Sequence, residues 1–477
     1  MDQDIHVDAV VVGAGTTGSA AAYQLAREGL CVALLDRLPF HRAGPRWVNG
    51  VAPWMFDRAA IPRPQAPELR GSAAAFIMHD RYGNHPLRIE PSPVCQVDMR
   101  LLVRRLQQAA VALGVRRYPE VRVESFAWEG TRPVTLHAWD TRAGYAGLRF
   151  HARLFVDASG LNGVLRGLHP ELSAACGRLD PRDICSAAQE VRRICDRAGA
   201  VEFLRRMGGK PGENLSFMGV DGGFSTVVLQ VHPDEGHVDI LVGATAEAGR
   251  RSGKQLIANL MATEPWIGER LFGGAGAIPL RRPYDQVCVR GLALLGDAGC
   301  QVFPAHGSGI GTGLIAARIL AETVGRCEDP GSHRALWAYQ AAFMRELGAV
   351  TGAYDVFRRL SQQLGGEGVN RLLASQLMTS RMSAYGLAQR MPRPALGDVV
   401  DMMRAGARQP RMALTLLPSL LKMQAVYRGY RLYPRRPTWG RLALWRRGMA
   451  WLFAEAPSSV PEAPRTISEA PEVKRAA

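Results

Sequence analysis

The chain has 477 residues, 47% of them hydrophobic, so it is too long for one compact core and apolar enough to bury a large one. Its formal net charge of +16 comes from 59 lysines and arginines against 43 acidic residues, but no recognition module accompanies that charge, and a specific nucleic-acid function is not expected. The eight cysteines (31, 95, 176, 185, 195, 288, 300 and 327) lack Cys-x-x-Cys spacing, Met1 precedes Asp2 and Asp4, and no window of about 18 residues is continuously apolar; this argues for reduced thiols in a cytoplasmic protein, against a metal centre, a secretory leader or a spanning helix.

In chain order, the first element is the apolar run Val7 and Ala9 to Val12. It enters Gly13-Ala14-Gly15-Thr16-Thr17-Gly18 and continues into a helical stretch, 19–28. Gly13 permits a tight turn, Gly15 lets a diphosphate approach the backbone, and Gly18 lets helix and strand pack closely, while the helix N-terminus offers amides to an anion. Ala14 and Thr17 share that turn. The next strand, 31–35, ends at Asp36 beside Arg37. A carboxylate about 20 residues after the glycines suits a ribose hydroxyl and repels a 2′-phosphate.

Residues 73–78 and Leu87–Ile89 around Arg81-Tyr82-Gly83-Asn84 predict a hairpin, and Met99–Ala112 predicts a helix carrying Arg100, Arg104 and Arg105. A second glycine segment follows the strand 154–156: Asp157-Ala158-Ser159-Gly160. Residues 182–205 and 253–270 read as helices. Between them, 222–229 and 238–244 read as strands joined through Pro233-Asp234-Glu235-Gly236. The strand 292–295 opens the third segment, Gly296-Asp297-Ala298-Gly299, then Pro304, His306, Gly307, Gly309, Ile310, Gly311 and Gly313, with a helix over 312–324. Helices should fill 336–380 and about 397–453. From Ala456 onward Pro, Ser, Glu and Ala dominate, as in a disordered tail.

With its three glycine segments in this order, the sequence resembles the flavoprotein group that includes p-hydroxybenzoate hydroxylase-type aromatic hydroxylases, flavin-dependent halogenases and geranylgeranyl reductases. The resemblance covers about residues 5 to 335 and implies an α/β fold: a discontinuous Rossmann-like FAD-binding domain (1–70, 97–170 and 276–335) and an antiparallel-sheet substrate domain (71–96 and 171–275). A helical C-terminal domain (336–455) and the tail 456–477 complete the expected organisation. FAD is the implied cofactor. Asp157 and Gly160 belong to the middle signature, Asp297 faces the ribitol or pyrophosphate, Pro304 and the Gly307 to Gly311 backbone (with Gly309 and Ile310) follow the flavin ring, and Arg100 is a further flavin contact. Gly296 opens the turn that presents Asp297. A run of glycines opening a helix exposes amides and leaves room for a flat ring.

No second nucleotide fingerprint is present, which fits NAD(P)H or a reduced electron carrier visiting transiently. The halogenase stretch Trp-x-Trp-x-Ile-Pro is absent, and Lys210 and Lys254 stand in no such context. The runs 185–190 and 278–283 and the long basic C-terminal helices look more like the geranylgeranyl reductase branch, which reduces isoprenoid double bonds. Arg46-Trp47-Val48-Asn49-Gly50 and Gly222-Gly223-Phe224-Ser225-Thr226 stand where that branch carries a cysteine-glycine turn and a Tyr-x-Trp-x-Phe-Pro motif, so monooxygenation of an aromatic or polyketide-type molecule stays open, as does a noncatalytic flavoprotein. Trp47, Asn49, Trp54 and His306 are the side chains placed near the flavin. His306 reads either as a proton donor with a near-neutral pKa or as a hydrogen-bonded loop residue. Arginines alternating with Tyr427, Tyr430, Trp439, Trp445 and Trp451 suit either a peripheral contact with an anionic membrane or a solvated cap over the substrate cavity.

Overall fold

The computed structural model describes residues 3–71 and 74–455. The expected tail 456–477 lies outside the described residues, as does Ala73 at the start of the expected hairpin. At the centre is a six-stranded sheet in which Leu292–Leu294, Leu154–Asp157, Ala9–Val12, Val32–Asp36 and Arg116–Pro119 run side by side in parallel, with Cys288–Val289 added antiparallel at one edge. Ala9 to Val12 is buried on both faces, as a parallel strand covered by helices must be. Helices Thr16–Arg27, Met99–Ala112 and Ile310–Val324 pack together as one covering layer, and side chains of a smaller sheet also pack onto the central one, Phe126 on Phe155 and Phe150 on Tyr118. That smaller sheet, of Val121–Glu129, Arg132–Asp140 and Ala146–His151, extended by Gln3–His6, lies outside it.

The second unit is a seven-stranded sheet ordered Ile267–Pro279, Ile184–Ile194, His237–Thr245, Ser225–His232, Asn214–Met218, Phe76–His79 and Leu87–Ile89. The expected hairpins are present: Phe76 opposes Ile89, and Ser225 opposes Ala244. Two expected helices are corrected. Within 182–205, Ile184–Ile194 is a strand and only Arg197–Arg206 is helical; the run of Ala, Gln, Glu and Arg favours a helix locally, but strand partners on both sides override that preference. Within 253–270, the helix Gly253–Thr263 stops before Pro265, which disfavours helical geometry in the residue ahead of it, and the chain continues as the long strand Ile267–Pro279. The sheet therefore runs beyond the expected boundary at 275.

The C-terminal region is helical as expected, with Ala349–Ala374, Ser380–Leu387, Leu396–Arg408, Pro410–Arg431 and Trp439–Phe453. It is not a separate globule. Tyr430, Tyr433, Trp445, Met449 and Phe453 belong to the same buried cluster as Val11, Val156 and Leu294. Buried ions fasten this joint. Asp355 accepts from the Arg282 backbone N–H at 3.0 Å and from Arg358 Nε at 2.9 Å, and Arg282 pairs with Asp285 and with Glu455. Burial by itself would raise the Asp355 carboxyl, but the charges of Arg358 and Arg359 outweigh it and hold the group below its ordinary range.

A depressed carboxyl pKa contributes stability above the unfolded value of about 4 and loses it as pH falls further. Asp355→Ala should therefore destabilise the fold by about 3 kcal/mol in denaturant titrations at neutral pH, because the buried Arg282 N–H loses its acceptor and Arg358 keeps only Asp183 as a charged partner. The gap between variant and parent should narrow below pH about 4 as the parent's own carboxyl protonates.

Candidate active site

The three glycine segments meet because their strands are neighbours. Val11 pairs with Val156 and Val12 with Asp157, while Asp157 pairs with Leu294, so all three strands end at one edge and turn there. Ligands of open parallel sheets bind in the crevice beyond such an edge.

Sterics require the glycines at the first turn. Gly13 has φ +105°, and a Cβ on it would lie 2.3 Å from the Ala158 carbonyl oxygen; a Cβ on Gly18 would lie 1.7 Å from the Gly13 oxygen. Gly15 faces Gly44, whose own Cβ would come within 3.1 Å of the Gly15 Cα. Two backbones thus close on each other without side chains between them. Ala14 donates its N–H to Asp36 Oδ2 at 2.7 Å, and Leu38 N–H reaches Asp36 Oδ1 at 2.8 Å. Each oxygen keeps a further lone pair for a ribose hydroxyl. Arg37 is exposed beside it. Thr17 ties this turn to the third segment: Cβ atoms on Gly296 and Gly313 would lie 3.0 and 2.2 Å from its Oγ1.

The two aspartates do different work. Asp157 is buried and spends its carboxylate on the Ser159 N–H, the Ser159 hydroxyl and the Arg166 N–H, so it shapes the turn at Gly160 (φ +77°). Arg166 then donates to the Ala298 carbonyl at 2.6 Å, joining the second segment to the third. The Asp297 carboxylate has no hydrogen-bond partner among the described residues, and burial pushes it up to about 6. Gly309 stands close to it, since a Cβ there would lie 3.2 Å from Asp297 Oδ1. An unpartnered carboxylate beside an all-backbone cradle fits the hydroxyl-rich ribityl chain of FAD. Pro304 is buried in the loop before Gly307 (φ +70°), and Ile310 and Gly311 begin the helix, Gly311 pressed against Met55.

Beyond the glycine edge stands the large sheet. Trp47 lies against Gly274 and Gly276 of the long strand, at 3.6 to 3.7 Å from where their Cβ atoms would be, and its indole N–H is buried without a partner. Asn49 sits on Val48–Val51, and Gln189 from the sheet donates to the Val48 carbonyl at 2.6 Å. Trp54 is engaged elsewhere, donating to the Ala388 carbonyl and packing under Arg390. Arg100 forks onto Asp98 and lies 4.0 Å from the Phe272 ring centre, so it joins the two units. His306 packs on Phe303 with ring centres 4.6 Å apart; it is open to solvent by surface area yet densely surrounded by protein, as a residue lining a cleft would be. Burial pushes its pKa down to about 4, which corrects the expected near-neutral value.

Residues 8–177 match the model of the FAD dependent oxidoreductase family, a span that contains the first two glycine segments and Asp36. The chain is an FAD-dependent oxidoreductase. This oxidoreductase is 22% identical over 451 residues to a digeranylgeranylglycerophospholipid reductase of Sulfolobus acidocaldarius, covering 93% of this chain and 97% of that protein. Its fold is similar to that of a geranylgeranyl bacteriochlorophyll reductase-like protein from Thermoplasma acidophilum, with a TM-score of 0.69 at 15% identity over 87% of this chain and all of the other. It also resembles a flavin-dependent brominase, with a TM-score of 0.59 at 14% identity over 85% of this chain and 99% of the other.

Gly44, Gln107 and Arg166 were not among the expected site residues. Gln107 donates to the carbonyls of Ala14 and Phe40, at 2.9 and 3.2 Å, and so holds the first turn from the helix behind it. Only Gly44, an isolated glycine ahead of Pro45, left a local signal.

Gly18→Ala should yield protein that purifies without flavin absorbance, because no rotamer relieves a backbone clash. Asp297→Ala should fold and weaken FAD binding by about 1–2 kcal/mol, roughly tenfold, in a fluorescence titration.

Proposed function

We propose that this oxidoreductase reduces carbon-carbon double bonds of an isoprenoid or similar lipid-like molecule. The observation that carries the reading is the length of the similarity to the phospholipid reductase, which runs through the FAD unit, the large sheet and the C-terminal helices alike. FAD, when bound, supplies the two-electron reduction; NAD(P)H or a reduced carrier would recharge it in passing.

This chain's own residues would bind and orient. Gly13, Ala14, Gly15, Thr17, Gly18 and Asp36 would hold the diphosphate and ribose, Asp297 the ribityl hydroxyls, and Pro304 to Gly311 the ring. Along Ile267–Pro279 the run Gly273-Gly274-Ala275-Gly276-Ala277 offers a floor without bulky side chains beside Trp47, a surface on which an extended hydrocarbon chain can lie. His306 stays uncharged at neutral pH, which suits an apolar substrate. It would orient the chain or relay a proton from water, since a group with pKa about 4 is not a charged acid at pH 7.

A lipid substrate has to be met at a membrane, and the C-terminal helices divide into two parts in this respect. Trp445 and Arg446 are buried, the latter donating to Gln286 Oε1 at 2.8 Å. Leu396, Val399, Val400 and Met403 on one helix, and Leu414, Leu417 and Leu421 on the next, recur every three to four residues and are exposed. Arg404, Arg408 and Arg411 stand among them. We infer that this pair lies on an anionic bilayer surface. No described helix is long and apolar enough to cross one.

A reduced, oxygen-free preparation given a geranylgeranyl lipid should return product that has gained two hydrogens per double bond by mass spectrometry. Product formed only after oxygen is admitted, carrying an added oxygen atom, would assign the chain to the monooxygenases. In liposome flotation, the parent should rise with anionic vesicles and the Leu414→Ser, Leu417→Ser, Leu421→Ser variant should remain below; equal recovery of both would remove the membrane contact.

A further inference from the structure

Strands Ser225–His232 and His237–Thr245 are joined by a short turn, and their last cross-strand pair is His232 opposite His237. The two rings stack with centres 4.6 Å apart and 19° between planes. Both Nδ1 atoms face Glu235 in the turn: His232 Nδ1 lies 3.6 Å from one carboxylate oxygen and His237 Nδ1 3.7 Å from the other. The three ligand-type atoms lie within 4.8 Å of one another, and among the described residues this is the one such group of three histidine, cysteine or carboxylate side chains. The three lie within six consecutive residues, His232-Pro233-Asp234-Glu235-Gly236-His237, and the hairpin turn folds the two rings onto each other.

An ordinary ion pair explains this cluster poorly. At 3.6 and 3.7 Å the two ring nitrogens flank the Glu235 carboxylate without reaching hydrogen-bond distance of it. Neutral imidazole nitrogens and a carboxylate are the donor set of borderline divalent metals. Bonds of about 2.1 Å in a tetrahedral site place ligands about 3.4 Å apart; the two histidine-to-carboxylate separations of 3.6 and 3.7 Å are near that, and the stacked rings, with all ligand atoms within 4.8 Å, need only turn out of their stack to converge on one ion. The site is also built. The histidine side chains are mostly buried, and a Cβ on Gly212 would lie 3.5 Å from His232 Cε1. Two residues along the same strand face, Asp239 is buried, and its Oδ1 has no hydrogen-bond partner among the described residues. Arg70 is the cation facing this group, and Asp239 offsets it.

We propose that His232, Glu235 and His237 bind a single Zn²⁺-type divalent ion that clamps the free end of this hairpin, with Asp239 accepting from a metal-bound water. The ion is structural, and flavin chemistry proceeds without it.

The test is a Zn²⁺ titration of the FAD-loaded full chain after chelator treatment, read by calorimetry and by thermal denaturation. One equivalent should bind with micromolar or tighter affinity and raise the melting temperature. Co²⁺ in its place should give the visible ligand-field bands of a tetrahedral site. His237→Ala should abolish the stoichiometric event. Glu235→Gln, at an exposed turn position that the fold does not need, should weaken it at least tenfold with flavin content unchanged, whereas His41→Ala at an exposed position elsewhere should do nothing. Millimolar or non-stoichiometric binding, or an affinity unaltered in Glu235→Gln, overturns the proposal.

Discussion

Three parallel strands that end together, with no room for a Cβ where they turn, are the constraint on which the rest of this structure depends. Ala9–Val12, Leu154–Asp157 and Leu292–Leu294 are neighbours in one sheet, so the turns after them converge on the same crevice. Backbone meets backbone there: Gly13 against Ala158, Gly18 against Gly13, Gly15 against Gly44. Close approach leaves amides and one unpartnered carboxylate, Asp297, facing the cleft. A dinucleotide supplies the acceptors and hydroxyls that such a lining lacks.

In the proposed function the reactive half of the cofactor meets a substrate held by the large sheet, and several side chains join that sheet to the glycine edge. Gln189 bonds to the Val48 carbonyl, Trp47 covers the glycine floor, and Arg100 spans from Asp98 to Phe272. From the far side, Asp355, Arg282, Arg358 and Glu455 bind the C-terminal helices to the sheet through buried charges. Those pairs are costly to desolvate, and they place the helices in one position because any other would leave a charge unpaired. The exposed apolar stripe on the outer helix pair is thereby held at a fixed place on the molecule.

What was legible in the sequence follows from the range of the forces involved. Gly13 to Gly18 and Gly296 to Gly313 could be read because a glycine turn between a strand and a helix is a local requirement, written in consecutive residues. Asp36 was read from its place at the end of the next strand, about 20 residues after the glycines. The strand Ile184–Ile194 was not, since its residues favour a helix and only its neighbours on both sides make it extended. Gln107 acts across a long sequence distance, so nothing local distinguishes it from a surface residue, and Arg166 follows the second glycine segment but reaches Ala298 far along the chain. His306 lies on the loop before Gly307, but its protonation state depends on the crowding around it, which no local pattern records. The aromatic and basic C-terminus read as one surface, whereas Trp445 and Arg446 are interior and Leu414, Leu417 and Leu421 are exterior.

Chemistry, more than fold, would separate the proposed reductase from hydroxylases built on the same scaffold. The direct measurement is the visible flavin band of the reduced, FAD-loaded protein after rapid mixing with a polyunsaturated isoprenoid lipid in strict absence of oxygen. Reduction of the double bond by the flavin predicts that the oxidised band returns in proportion to the double bonds consumed, with no oxygen present. A flavin that stays reduced with the lipid and is reoxidised only when oxygen is admitted would contradict the account.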